Sequence, residues 1–110
     1  MAIKYVVIPE KRTVKAILEN TEYDAYYKIY KMTRDTDFHV NPNRYRMPTR
    51  FVSEVFCDER DTFNEEFGKQ RAKKIVLDNY YKSLDKRIDK FKEELLVLNG
   101  KIFKNCENNT

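Results

Sequence analysis

The sequence predicts an α+β fold in the order strand, strand, helix, strand, long helix (ββαβα), with a small three-stranded antiparallel sheet covered on one face. Three observations predict it. Residues 3–8, 13–19 and 51–57 are short runs rich in β-branched and aromatic side chains, the composition of strands. Residues 21–33 carry a helix-start pattern and a broad apolar-aromatic side. From residue 61 to residue 100 only Gly68 interrupts a helical period, so the last element is one long helix.

Ile3–Ile8 is the first strand. The charged run Pro9, Glu10, Lys11, Arg12 follows it and reads as a turn, because proline presets the backbone there. Thr13–Glu19 is the second strand, with Val14, Ala16 and Leu18 on one face and Lys15 and Ile17 on the other, and the two strands form a hairpin. Thr21 and Asp24 have capping-box spacing, and Tyr23, Tyr26, Tyr27, Ile29, Tyr30 and Met32 supply the apolar side of a helix ending near Thr33. Residues 34–50 hold two prolines and several Asn and Asp residues without any period, so they form a loop. In residues 51–57, Phe51, Val55 and Cys57 face one way and Val52 and Phe56 the other.

The final helix is expected to start at Thr62, whose hydroxyl and the Glu65 carboxylate have the order of a capping box, and to stop at Gly100. Phe63, Phe67, Ile75 and Val76 are expected to cover the sheet, with Gly68 letting the helix approach it closely. Beyond them Leu77, Tyr81, Leu84, Ile88, Phe91, Leu95, Leu98 and Ile102 recur with gaps of four and three, the repeat of a coiled-coil seam. An uninterrupted helix of this length would run roughly 55 Å, against a radius of gyration of about 13 Å for a compact chain of this size. The chain therefore reads as a single domain over residues 1–110, with an α+β body (1–76), a projecting helical or coiled-coil part (77–103) and a frayed tail (104–110). A break at Asp78-Asn79 or at Ser83 is the competing reading of the helix. Unbroken, the seam needs a partner, and self-association into a homodimer is the first expectation, a foreign protein the second.

Composition limits function. There are 22 basic and 18 acidic residues, a net charge of +4, which allows nucleic acid or an acidic protein surface as partner without singling out either. Hydrophobic residues are dispersed and the start lacks a signal-peptide pattern, so the expectation is a cytoplasmic protein without a membrane partner. Cys57 and Cys106 are too few and too distant for a disulfide framework and read as reduced thiols. His39 is the lone histidine; a nucleophilic pair would have to use it with a partner the sequence does not place, and with two distant thiols it does not complete a zinc set. Two glycines leave no phosphate-cradling loop. The acidic run Asp58, Glu59, Asp61 suits the positive end of the following helix. No cofactor, metal or catalytic residue is expected, and the chain reads as a non-enzyme.

Two surfaces remain. In the loop, Arg44, Tyr45, Arg46 and Arg50 set guanidinium groups around a ring, the combination that grips phosphate and stacks on bases; the plainer reading has Tyr45 and Met47 covering the core edge while the arginines face water. On the long helix Lys82, Lys86 and Lys90 make a basic row, flanked by Asp85, Asp89, Glu93 and Glu94 as on a water-facing flank.

The block from Cys57 to Ala72, with its Cys57, Asp61, Phe63, Gly68 and Ala72, resembles a segment of small uncharacterised proteins of Gram-positive phages and mobile elements. In those proteins a strand ending in Cys leads to an Asp-x-Phe helix start followed by Gly and Ala. The likeness covers about one seventh of the chain and brings no catalytic residue with it. It implies a setting in which accessory proteins bind and redirect host machinery, anti-CRISPR inhibitors of nucleoprotein effectors among them. A charge of +4 does not suit an acidic DNA mimic. The expected function is therefore a non-catalytic accessory protein that binds and inhibits or redirects a host protein or nucleoprotein complex; the alternative is a nucleic-acid-binding accessory factor using the loop and the lysine row.

Overall fold

The computed structural model describes residues 2–36 and 39–108, with side chains up to Val97. The order is β1 (Ile3–Ile8), β2 (Thr13–Glu19), α1 (Asp24–Thr33), β3 (Arg50–Phe56) and α2 (Glu65–Asn108). The sheet is antiparallel throughout, in the order β1-β2-β3. Its register places Ala16 between Tyr5 and Ser53. Val14, Ala16 and Leu18 of the central strand are buried, as their alternation predicts. The opposite face carries Lys4, Val6, Lys15, Ile17, Val52, Glu54 and Phe56, all exposed or half-exposed.

Between β1 and β2 a 3-10 turn spans Pro9–Lys11 and ends on Arg12, whose backbone is left-handed at φ 50°. That conformation is costly for a long side chain, and tertiary contacts hold it. The Arg12 guanidinium donates to the carbonyl of Cys57 at 3.4 Å and of Asp58 at 3.0 Å, and to that of Asp61. One arginine in the hairpin turn thus fixes the path from β3 into α2.

That path ends at Asn64. Its Oδ1 accepts the Phe67 N–H at 3.0 Å, so Asn64 caps the helix and Glu65 is its first residue. The expected cap at Thr62 is thereby corrected by two residues, to Asn64. The helix also continues through Gly100 to Asn108 without a break at Asp78-Asn79 or Ser83. The expected stop at Gly100 is corrected accordingly, and residues 104–108, expected as a frayed tail, continue the helix; Asn109 and Thr110 lie outside the described residues. The molecule is long, 73 × 23 × 17 Å.

The side of α2 that meets the sheet is not the one the aromatic residues suggest. Gly68, Ala72, Val76 and Tyr80, at steps of four, are buried, whereas Phe67 is 59% exposed and Ile75 is also exposed. Small side chains win because the helix axis lies very near the strands: a Cβ on Gly68 would sit 2.7 Å from Val14 Cγ2. The close approach expected of Gly68 is therefore present. Ser53, buried on β3, donates to the Ala72 carbonyl at 2.5 Å, which satisfies a polar group inside the contact. Tyr80 packs edge-on to Phe51 with centroids 5.8 Å apart.

Helix α1 packs beside α2 through Ala25, Ile29 and Thr33, and Tyr80 Oη donates to Asp24 Oδ2 at 2.6 Å. Burial and the Asp24 carboxylate both push the Tyr80 phenol up. The expected Thr21 cap is replaced, because the Thr21 hydroxyl donates to the Pro48 carbonyl at 2.5 Å. Of the residues expected on the inner side of α1, Ile29 is buried and Tyr23 and Tyr26 are half-buried, whereas Tyr27 (58% exposed), Tyr30 (51%) and Met32 are turned outward.

Candidate recognition surface

The segment after α1 has no regular structure over residues 39–49, as predicted, and its course is set by point contacts. Asn41 Oδ1 accepts the Asn43 N–H at 2.9 Å, and the Arg44 N–H donates to the Asn41 carbonyl at 3.1 Å. With Pro42 at its second position, this is a tight turn favoured by asparagine chemistry. Further on, the Met47 N–H donates to the Glu22 carbonyl at 2.9 Å, tying the segment to the start of α1.

The turn lays Tyr45 across α2. Its ring is 3% exposed and meets Phe91 edge-on at 5.9 Å and 89°. Leu84, Ile88 and Phe91 are buried in one core with Tyr45 and Met47. Two expectations change. Tyr45 cannot stack on a base from inside the core; of the two readings of the loop, the structure has Tyr45 and Met47 covering the core edge. Likewise Leu84, Ile88 and Phe91 are sheltered by their own chain, so they form no free seam. Of the remaining seam positions, Leu77 and Leu95 are half-buried and Tyr81 is exposed, while Leu98 lies outside the described side chains.

Glu94 fastens this arrangement. Its Oε2 accepts from Arg44 Nε at 2.9 Å and from Tyr45 Oη at 2.5 Å. The hydrogen bond from Arg44, then that from Tyr45, holds the Glu94 carboxyl below its usual range. Burial first, and Glu94 second, push the Tyr45 phenol up.

Arg44 and Arg46, from this segment, meet Lys86, Arg87 and Lys90 of α2 around an open groove of about 560 Å³ that Asp89 and Glu93 also line. Four residues from the two sequence-predicted basic sets are thus brought together. Arg50 and Lys82 are not: Arg50 is exposed at the start of β3, opposite Glu19, and Lys82 is exposed on α2 without lining the groove. Arg87 is the addition that sequence reasoning missed. Its Nε donates to the Arg46 carbonyl at 3.3 Å and its Nη1 to Ser83 Oγ at 2.6 Å. The Ser83-Arg87 spacing of four was the available signal, whereas nothing local announces Glu94, fifty residues from Arg44.

The groove borders α1. Arg46 Nη2 is 2.7 Å from Glu22 Oε1, and its guanidinium lies 6.0 Å from the Tyr23 ring centre. One helical turn on is Tyr27, whose ring is 5.5 Å from Tyr26, itself 6.1 Å from Tyr30. Arg46 thus borders Tyr23, and Tyr27 and Tyr30 follow four and seven residues on, along the same side of α1.

Elsewhere the structure offers less chemistry. A cleft of about 280 Å³ at the start of α2 is lined by Phe56, Cys57, Phe63, Phe67, Arg12 and Arg71 among others. The Cys57 thiol there lies 3.5 Å from Arg12 Nη2; Cys106 lies outside the described side chains. His39 is exposed. Among the described residues no three His, Cys, Asp or Glu side chains come together as a metal site, and no helix is long and apolar enough to cross a membrane. Set against protein-family models, curated proteins and solved structures, the chain matches none.

Proposed function

We propose that this chain is a non-catalytic binding protein that acts by occupying a surface of a protein or nucleoprotein complex. The setting we propose is that of a phage or mobile-element accessory protein, an inhibitor of host machinery of the anti-CRISPR kind, working in the host cytoplasm. One observation carries the binding reading: outward Tyr27 and Tyr30 lie on the side of α1 that carries Tyr23, and Arg46 stands between the Tyr23 ring and a groove lined by cations and carboxylates. Tyrosine, methionine and arginine are enriched in protein interfaces.

A second reading, nucleic-acid binding, draws on Lys86 and Lys90, which are exposed and make no hydrogen bond or ion pair with the described residues. It is weakened by the groove's own carboxylates and by Tyr45, which is buried. The two readings separate by photo-cross-linking and salt response. A benzoylphenylalanine at position 27 or 30 should give a discrete protein cross-link in host lysate that the same group at Lys4 does not. A mobility shift with single-stranded or duplex nucleic acid that collapses between about 50 and 200 mM salt, with no discrete protein cross-link, would replace the first reading by the second.

We also propose that copies of the chain associate through α2 beyond Phe91. Leu96 is 69% exposed, Val97 is exposed beside it, and the helix runs on to Asn108. Light scattering at high micromolar concentration should give a dimer for wild type and a monomer for Leu96→Asp; a wild-type monomer removes this part of the proposal.

A further inference from the structure

The groove between residues 44–46 and α2 is more than a set of surface charges, because its cations differ in what they have left to give. Arg44 spends Nε on Glu94, Arg46 spends Nη2 on Glu22, and Arg87 spends Nε and Nη1 on the Arg46 carbonyl and Ser83. Each guanidinium has five N–H donors in a rigid fork, so each is fixed along one edge with donors left over. Lys86 and Lys90 sit about 6 Å apart along the helix, one turn, each with three donors. The result is three oriented forks beside two exposed ammonium groups.

Anionic oxygens are the ligands that such donors select, and carboxylates in particular match a guanidinium fork with two parallel bonds. The source of those oxygens follows from what else lines the groove. Asp89 and Glu93 stand in it; a nucleic-acid strand, with a charge at every nucleotide, would have to run past both. A peptide carries charge only where its side chains supply it and can set a lysine or a neutral residue against those two carboxylates. No ring lines the groove itself, since Tyr45 is turned into the core.

We infer that this groove is the docking site for an acidic segment of a protein partner, with carboxylates paired to Arg44, Arg46, Lys86 and Lys90. The inference rests on the protein-binding reading above and names the chemistry of the partner at that surface. Arg46 then joins two parts of one interface, since it faces both the groove and the Tyr23 ring.

The test uses the full chain and a fluorescein-labelled peptide of Asp and Glu with interspersed Ser and Lys, read by anisotropy, with a neutral Ser/Asn peptide and a single-stranded oligonucleotide as the other probes. At about 50 mM salt the acidic peptide should bind, the neutral one should not, and the oligonucleotide should bind more weakly. Lys86→Glu with Lys90→Glu should weaken the peptide about tenfold or more. Lys73→Glu with Lys74→Glu, which makes the same charge change on exposed positions of α2 outside the groove, should leave it within about twofold, as expected for charges away from the contact. Circular dichroism on both variants establishes that they are folded. No acidic-peptide binding at low salt, equal losses in the two variants, or tighter binding of the oligonucleotide each overturns the inference. If the peptide arm fails while cross-links from positions 27 and 30 persist, only the groove's assignment falls and the protein-binding reading stands.

Discussion

The two halves of the buried stripe on α2 have different lids. From Gly68 to Tyr80 the lid is a hydrogen-bonded sheet, and contact is by small residues pressed against strands: a Gly68 Cβ would clash with Val14 at 2.7 Å. From Leu84 to Phe91 the lid includes an irregular strap, in which Tyr45 and Met47 are buried and Arg44 and Tyr45 are pinned to one carboxylate oxygen of Glu94. The sheet contact is cooperative, since neither side moves without breaking a ladder. The strap should open at lower cost than the sheet, because it has no backbone ladder and several of its side-chain fastenings lie near water. One helix thus supports a rigid region and an adjustable one, and the adjustable one carries the proposed groove.

Breaking the sheet-covered half should have the larger effect. Gly68→Val adds branched carbons where no space exists and should cost about 2–3 kcal/mol of global stability, typical of an overpacked core, seen as a lower denaturation midpoint with an unchanged urea dependence. Combining it with Val14→Ala should recover part of the loss. A Gly68→Val protein as stable as wild type would mean that α2 does not lie as close to β2 as described.

In the strap, Tyr45→Ala should cost about 2 kcal/mol, less than the 3–5 kcal/mol usual for a core aromatic, because the lost ring frees the strap without opening the sheet. Hydrogen exchange should quicken over residues 39–47 and the neighbouring turn of α2, while β2 keeps its protection. Uniform loss of protection across β2 and the strap would erase the distinction between the two lids.

The smallest effect should be acid sensitivity. Glu94 has its carboxyl held below the ordinary value by Arg44 and Tyr45. A lowered folded-state value makes its contribution complete above the unfolded value, about pH 4.3, and lost as pH falls through the folded one. Protection of the strap should therefore fall below about pH 4 in wild type, whereas Glu94→Gln should show weaker protection at neutral pH and little further change in that window. Identical acid profiles would remove Glu94 as the fastening.

Much of the fold was legible in local pattern. The boundaries of β1 and β2 follow from alternation, the long helix from its period, and the close packing at Gly68 from a residue whose cost in a helix calls for a reason. The caps at Thr62 and Thr21 were misread because other contacts displaced a local preference: Asn64 and the Arg12 contacts at the α2 start, and the Pro48 carbonyl at Thr21. The stop at Gly100 and the inward placing of Tyr27 and Tyr30 rested on local pattern alone; the helix runs through the one and α1 buries Ala25, Ile29 and Thr33 in place of the others. The candidate site divides in the same way. Its cations stood out as short clusters, but that Arg44 and Arg46 join Lys86 and Lys90 in one groove, and that Tyr45 leaves the surface, depends on Glu94 and Phe91, far along the chain.

By itself the sequence determined which stretches are strands and helices and that α2 has an apolar stripe, because periodicity and composition act over a few residues. Only the tertiary structure decided what covers that stripe. Sheet and strap are both near enough in space and apolar enough to do so, and the choice rests on close packing and a few hydrogen bonds between residues that have no neighbourhood in sequence.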